Sequence, residues 1–90
     1  MKTMKEVKAQ RLVNVCQNVF IEALTELQVM KDEYLAGNLQ AAKARKRYFV
    51  VMKKVVFYNH IQFAVCCKYT DVEKEYDVTS FNDYINFFEC

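Results

Sequence analysis

A shortage of chain-breaking residues constrains the fold of this 90-residue chain more than any other feature. It contains no proline and a single glycine, Gly37. Proline and glycine are the residues that most often end helices, so the stretches on both sides of Gly37 are free to form long helices. We therefore predict one all-α domain over residues 1–90: an antiparallel hairpin with helices at about 4–36 and 39–69, and a short C-terminal helix at about 80–89.

The first helix is predicted from its start signal and its apolar face. Thr3 and Glu6 have the spacing of a capping box. Gly37 is expected to end the helix in a left-handed conformation, and Asn38 to cap the next helix. One face of the helix is apolar and is predicted to point to the core: Ala9, Leu12, Val13, Cys16, Val19, Phe20, Ala23, Leu24, Leu27, Met30 and Tyr34.

The second half of the hairpin leaves a structural alternative open. Apolar and polar residues alternate between positions 60 and 69 as in a strand, so the alternative is an α+β fold with strands within 55–79. Basic residues, however, collect on one side of a helical projection, which a strand would not produce, and we therefore expect a helix. The side predicted to face the core carries Tyr48, Phe49, Met52, Val55, Val56, Phe63, Cys66 and Cys67.

The C-terminal third is predicted from short-range signals. The acidic run at 71–77 is expected to be a solvated link, and Thr79 or Ser80 to cap a last helix. That helix should pack across the hairpin through Phe81, Tyr84, Ile85 and Phe88. The four cysteines have no disulfide-framework spacing and are expected to be reduced and buried: Cys16, Cys66, Cys67 and Cys90.

Several functional classes are not supported by the sequence. His60 is the only histidine, and on a helix Cys67 would lie about 10 Å further along the axis, too far to share a metal ion with it. We predict no catalytic residue, no metal site and no cofactor, and hence no enzyme. The longest uncharged stretch, Val55–Cys67, has 13 residues, too few to span a bilayer, so we expect no membrane association and a cytoplasmic protein.

Charge is distributed unevenly along the chain. Residues 1–54 contain 11 Lys or Arg and 5 Asp or Glu, whereas residues 55–90 contain 2 and 6. Basic and aromatic residues together can bind phosphates and stack on bases, so a nucleic-acid or nucleotide site is one hypothesis. Its candidate residues are Lys43, Arg45, Lys46, Arg47, Tyr48, Lys53 and Lys54. The simpler interpretation is a solvated helix face.

A high apolar content points to contacts between proteins. The chain is 53% hydrophobic, which is high for a short domain and indicates self-association, with a dimer as the simplest closed assembly. Candidate interface residues are Phe57, Ile61 and Val65 on the second helix and Val15, Ile21 and Val29 on the first. The leading functional hypothesis is a small helical regulator or inhibitor, of the kind encoded by viruses or mobile elements, that binds and masks a partner protein.

Overall fold

The fold is a helical hairpin with a shorter C-terminal segment packed along it. The computed structural model describes residues 3–89. Helix α1 comprises Met4–Leu35 and α2 comprises Ala41–Lys68; a 3-10 turn at Val78–Phe81 leads into α3, Asn82–Glu89. Residues 3–89 contain no strand, so the all-α prediction is confirmed and the alternative with strands within 55–79 is wrong. The molecule is a rod of 53 × 17 × 17 Å.

The ends of α1 follow the sequence signals. The Thr3 hydroxyl accepts a hydrogen bond from the Glu6 amide (3.2 Å), which is the first of the two bonds of the predicted capping box. At the other end Gly37 has a φ of +80°, as expected of a left-handed cap. The Gly37 amide donates to the Tyr34 carbonyl (3.1 Å) and the Asn38 amide to the Glu33 carbonyl (2.9 Å). This pair of bonds is a Schellman motif.

The start of α2 differs from the prediction. Asn38 is not its cap, because its amide belongs to the motif that closes α1. Gln40 occupies the cap position, and its side chain makes no capping bond. The helix therefore begins at Ala41, two residues later than predicted, and ends at Lys68.

The C-terminal segment runs along α1 in the same direction as α1. Its order is set by successive contacts: Gln10 binds the backbone of Glu73, and Gln28 accepts a hydrogen bond from the Tyr84 hydroxyl (2.6 Å). The chain thus passes up, down and up again. The first part of the third pass is an extended segment at 69–77, which we call the strap, and the second part is helical.

Glutamine side chains hold the strap against the helices. The Gln10 amide donates to the Glu73 carbonyl (3.0 Å) and its oxygen accepts from the Glu73 N–H (2.9 Å). Gln17 accepts from the Tyr76 N–H (2.8 Å) and donates to the Tyr76 carbonyl (2.7 Å) and to Gln62 (2.6 Å). The backbone of the predicted solvated link is therefore attached to α1, although its charged side chains are exposed.

The cap of the last helical segment also lies earlier than predicted. Asp77, and not Thr79 or Ser80, is the N-cap; its carboxylate accepts from the Thr79 N–H (2.9 Å), and the Ser80 hydroxyl accepts from the Asp77 N–H (3.2 Å). The Thr79 hydroxyl also donates to this carboxylate and holds the pKa of Asp77 below its usual value. The capping box begins a 3-10 turn, which delays α3 to Asn82.

One apolar core joins the three passes of the chain. Tyr48 stacks on Phe88 with ring centroids 5.1 Å apart, and Phe20 meets Phe81 edge-on at 6.0 Å. The prediction that the C-terminal helix packs against the hairpin is confirmed, but the helix lies along the hairpin and not across it. Within 3–89 the core cluster consists of Cys16, Phe20, Ala23, Leu27, Met30, Ala44, Tyr48, Val51, Met52, Val55, Phe81 and Phe88.

The predicted core faces are right for α1 and partly wrong for α2. On α1 most of the predicted face is buried, with Leu12 and Tyr34 as exposed exceptions. On α2 the buried face is rotated by about 60° from the prediction, because α1 and the C-terminal segment cover only part of a wide apolar arc. Four residues predicted to face the core are exposed instead: Phe49, Val56, Phe63 and Cys67.

Candidate functional site

The predicted anion-binding residues divide among four environments. Lys43, Lys46, Lys53 and Lys54 are exposed along the first half of α2 and form what we call the basic surface. Beside them, Leu39 and Val50 line a shallow depression that also includes Arg47 and Glu26. The basic surface is therefore real, but it comprises fewer residues than the sequence indicates.

Arg47 is engaged within the hairpin. Its guanidinium lies 3.7 Å from the Glu33 carboxylate and 4.0 Å from that of Glu26, with all three side chains about half exposed. These contacts join α2 to α1 near the loop. Arg45 lies elsewhere, next to Tyr34 and Phe87 at a separate depression. Arg47 therefore lines the same depression as Lys43 and Lys46 but has its charge paired, whereas Arg45 lies outside this site.

Tyr48 is not available to a ligand at the basic surface. Its side chain is 1% exposed, and its hydroxyl donates to the Glu89 carboxylate (2.8 Å). Burial, reinforced by this hydrogen bond, raises the pKa of Tyr48 above its usual value. The residue therefore stays a neutral donor in the core and cannot stack on a base from this position.

The start of α2 strengthens the positive potential near the loop. Its first turn has no acidic residue, and no side chain accepts from its free amides at the cap. The positive end of the helix dipole therefore adds to the field of Lys43 and Lys46.

The predicted interface residues differ in how much surface they expose. Phe57 is exposed, whereas Ile61 and Val65 are half-buried, and Ile61 packs against the core cluster. The three residues predicted on the first helix are all exposed: Val15, Ile21 and Val29. The predicted interface residues on α2 are thus less exposed than expected, whereas those on α1 are each about half exposed.

The structure identifies a further apolar row that the sequence analysis assigned to the core. Phe49, Val56 and Phe63 are 48%, 45% and 67% exposed, and their spacing of seven residues places them in line on one side of α2. We call these three residues the outer stripe. The seven-residue spacing is visible in the sequence and could have indicated a contact surface separate from the core.

Among the described residues the cysteines and the histidine form no metal-binding group. Cys16, Cys66 and Cys67 are free thiols, and burial raises the pKa of Cys16. The prediction of buried thiols holds for Cys16, but Cys66 is half-buried and Cys67 exposed; Cys90 lies outside the described residues. Over residues 3–89 no group of acidic, cysteine and histidine side chains is arranged to hold a metal ion.

None of the helices within residues 3–89 combines the length and the apolar character that a membrane span requires. Comparison with protein-family models, with curated protein sequences and with solved structures finds no match to this chain. Functional inference therefore depends on the surfaces described above.

Proposed function

We propose that this protein is a helical interaction protein that uses the outer stripe of α2 to bind, and thereby mask, an apolar surface of another protein. The exposure of Phe49, Val56 and Phe63 carries this proposal. Masking would make the protein a regulator or inhibitor. A cytoplasmic location is part of the proposal, because free thiols such as Cys67 persist in a reducing compartment.

The geometry of the stripe suits a helix as its partner. Positions seven residues apart lie about 10.5 Å apart along the axis, so the stripe is a row about 21 Å long. A helix with apolar residues at matching spacing can pack along such a row. Large aromatic side chains contribute most to such contacts when they are desolvated. Two of the three residues in the stripe are phenylalanines.

The charges beside the stripe restrict the partner further. Lys53 and Lys46 are exposed on the surface adjacent to the row, and Lys53 is level with the span between Phe49 and Val56. Acidic residues flanking the apolar face of the partner would complement these charges and speed association. We therefore propose an acidic, amphipathic helix of another protein as the binding partner.

The proposal is tested by chemical cross-linking in the native host followed by mass spectrometry. Val56→Gln combined with Phe63→Gln should abolish the cross-links that wild-type protein forms through α2, because it removes the apolar contacts without adding a charge or a cross-linkable amine. Val50→Gln with Phe57→Gln is the matched control, since it changes two exposed apolar residues of α2, also seven positions apart, outside the stripe. Cross-links that survive the double substitution unchanged would refute binding through the stripe.

A second candidate function is anion binding at the basic surface. Lys43, Lys46, Lys53 and Lys54 take part in none of the ion pairs between residues 3 and 89, and the uncapped start of α2 adds positive potential. These observations favour a phosphate-bearing ligand such as a nucleotide or single-stranded nucleic acid.

Salt dependence tests this second function. Fluorescence anisotropy with a labelled oligonucleotide should show log affinity falling with log salt by about 0.7 per phosphate contact. Lys46→Glu with Lys54→Glu should weaken binding to all sequences alike, whereas the Val56→Gln and Phe63→Gln protein should bind as well as wild type. No binding at about 50 mM salt would exclude this function.

A further inference from the structure

The outer face of α1 carries an ordered charge pattern that neither proposed function uses. Seven residues between positions 8 and 26 fall within an arc of about 100° on this helix. In chain order they are basic, then apolar, then acidic: Lys8, Arg11, Leu12, Val15, Val19, Glu22 and Glu26. We call this set the α1 outer face.

The apolar centre of this face is accessible. Leu12 is 41% and Val15 50% exposed, and Val19 is half-buried. The C-terminal segment does not cover them, because it is bound to Gln10, Gln17 and Gln28. Gln17 lies about 160° around the helix from Val15. A row of exposed branched residues in the middle of a long helix is typical of a contact surface.

Three of the four charged residues at the ends of the face are available to pair with another molecule. Lys8, Arg11 and Glu22 take part in none of the three ion pairs found between residues 3 and 89. Glu26 lies 4.0 Å from Arg47, at the limit of an ion pair, and is exposed. The face therefore presents one basic and one acidic end separated by apolar residues.

We propose that the partner of this face is a second copy of the chain, bound with the two α1 helices antiparallel and crossing near residue 17. Lys8 and Glu26 each lie nine residues, or about 13.5 Å, from this point, so Lys8 of one copy meets Glu26 of the other. Arg11 and Glu22 lie about 9 and 7.5 Å from it and pair in the same way. Val15 of one copy then meets Val19 of the other at the centre.

Charge selects this arrangement over the alternatives. The face is self-complementary under a two-fold rotation, as a closed dimer requires. Parallel pairing would put Lys8 beside Lys8 and Glu22 beside Glu22, which is unfavourable. A different partner helix would have to carry acidic and basic residues in the complementary order along its length. A second copy bound antiparallel presents that order by symmetry. The outer stripe of α2 is a separate surface, so the dimer extends the proposed function without depending on it.

Matched charge reversals test the dimer. Sedimentation equilibrium at about 50 mM salt should give a dimer for wild type that weakens as salt rises. Lys8→Glu with Arg11→Glu gives a face that is acidic throughout, and Glu22→Lys with Glu26→Lys gives one that is basic throughout. Each double variant should dimerise at least about 30-fold more weakly than wild type, because four symmetry-related pairs change from attraction to repulsion.

One mixture and one further variant make the test decisive. An equimolar mixture of the two double variants should form a heterodimer, since opposite charges again meet at both ends. The variant with all four substitutions should recover homodimers, which also shows that the charge changes do not unfold α1. The proposal is overturned if wild type has a mass of 10.7 kDa up to about 100 µM. It is also overturned if the double variants dimerise as tightly as wild type, or if mixing them does not restore dimer formation. Cross-links through the outer stripe would be unaffected by any of these results.

Discussion

The amide side chains of Gln17 and Gln62 connect all three passes of the chain. Gln62 is 1% exposed, and it accepts from Gln17 (2.6 Å) and donates to the Tyr76 carbonyl (3.0 Å). Within residues 3–89 no buried side-chain nitrogen or oxygen lacks a partner. A fully bonded buried polar group contributes to stability, whereas removing one partner leaves the others unsatisfied.

Gln17→Ala should therefore lower the free energy of unfolding by about 2 kcal/mol, because it removes a partner from Gln62 and from the Tyr76 backbone. Gln10→Ala is the matched control: it removes two similar bonds to Glu73 that are exposed to water, and should cost less than about 1 kcal/mol. Urea unfolding measures both. Equal costs for the two substitutions would contradict the role of the buried network.

Tyr48 predicts a dependence of stability on alkaline pH. Burial raises the pKa of Tyr48 in the folded protein above the ordinary value of 10.0, so the folded state keeps its proton where the unfolded state loses it. The contribution of the hydroxyl is thus complete below about pH 10 and is lost as pH rises further. Tyr48→Phe should cost about 1 kcal/mol at pH 7, and the gap to wild type should narrow by pH 11. A gap of the same size at both pH values would argue against the raised pKa.

At the scale of the elements, the hairpin depends on the left-handed conformation of Gly37. A Cβ placed on Gly37 would meet no atom within 4 Å, so a side chain there would be strained by its backbone alone. Gly37→Ala should lower the free energy of unfolding by about 1 to 2 kcal/mol, and Gly37→Asn by less, because asparagine tolerates this conformation better. Thermal unfolding of the two variants measures the difference. If alanine proved no worse than asparagine, backbone strain would not be the cause.

The elements show which parts of the fold a sequence can predict. Thr3 and Gly37 mark the ends of α1 through local chemistry, and both predictions are confirmed. Asn38 has the residue type of a cap, but its amide is already used by α1. The strap could not be predicted, since the bonds of Gln10 and Gln17 join residues about 60 positions apart in the chain.

The candidate surfaces were predictable to different degrees. The lysines of the basic surface were identified because charged side chains seldom leave the surface. Phe49 and Phe63 were assigned to the core because the sequence pattern reveals an apolar arc on α2. The pattern does not show which part of that arc other segments of the chain cover. That depends on the C-terminal segment, which packs through Phe81 and Phe88 along one side of the hairpin only.

At the scale of the whole molecule, the core is shared among the three passes of the chain, so we expect the three passes to unfold together. Phe81 is fully buried against Phe20. Phe81→Ala should cost about 3 to 5 kcal/mol, a large part of the roughly 5 to 13 kcal/mol expected for 90 residues. Amide hydrogen exchange should then accelerate in α1 and α2 as well as in α3.

Asn82→Ala is the control for this substitution, because Asn82 is the exposed neighbour of Phe81 and should leave exchange nearly unchanged. If Phe81→Ala accelerated exchange only in residues 78–89, the hairpin would be a separate folding unit and the single core would not be cooperative.

The way in which the strap is attached also bears on how this chain can change during evolution. The hydrogen bonds from Gln10 and Gln17 to the strap reach backbone atoms of Glu73, Glu75 and Tyr76 and none of their side chains. The side chains of Glu73 and Glu75 are exposed to solvent. Almost any residue at positions 73 and 75 would preserve these bonds, but proline would not, since it has no N–H to donate. The charges at positions 73 and 75 can therefore change between descendants of this protein without releasing the strap, whereas replacing Gln17 would loosen it.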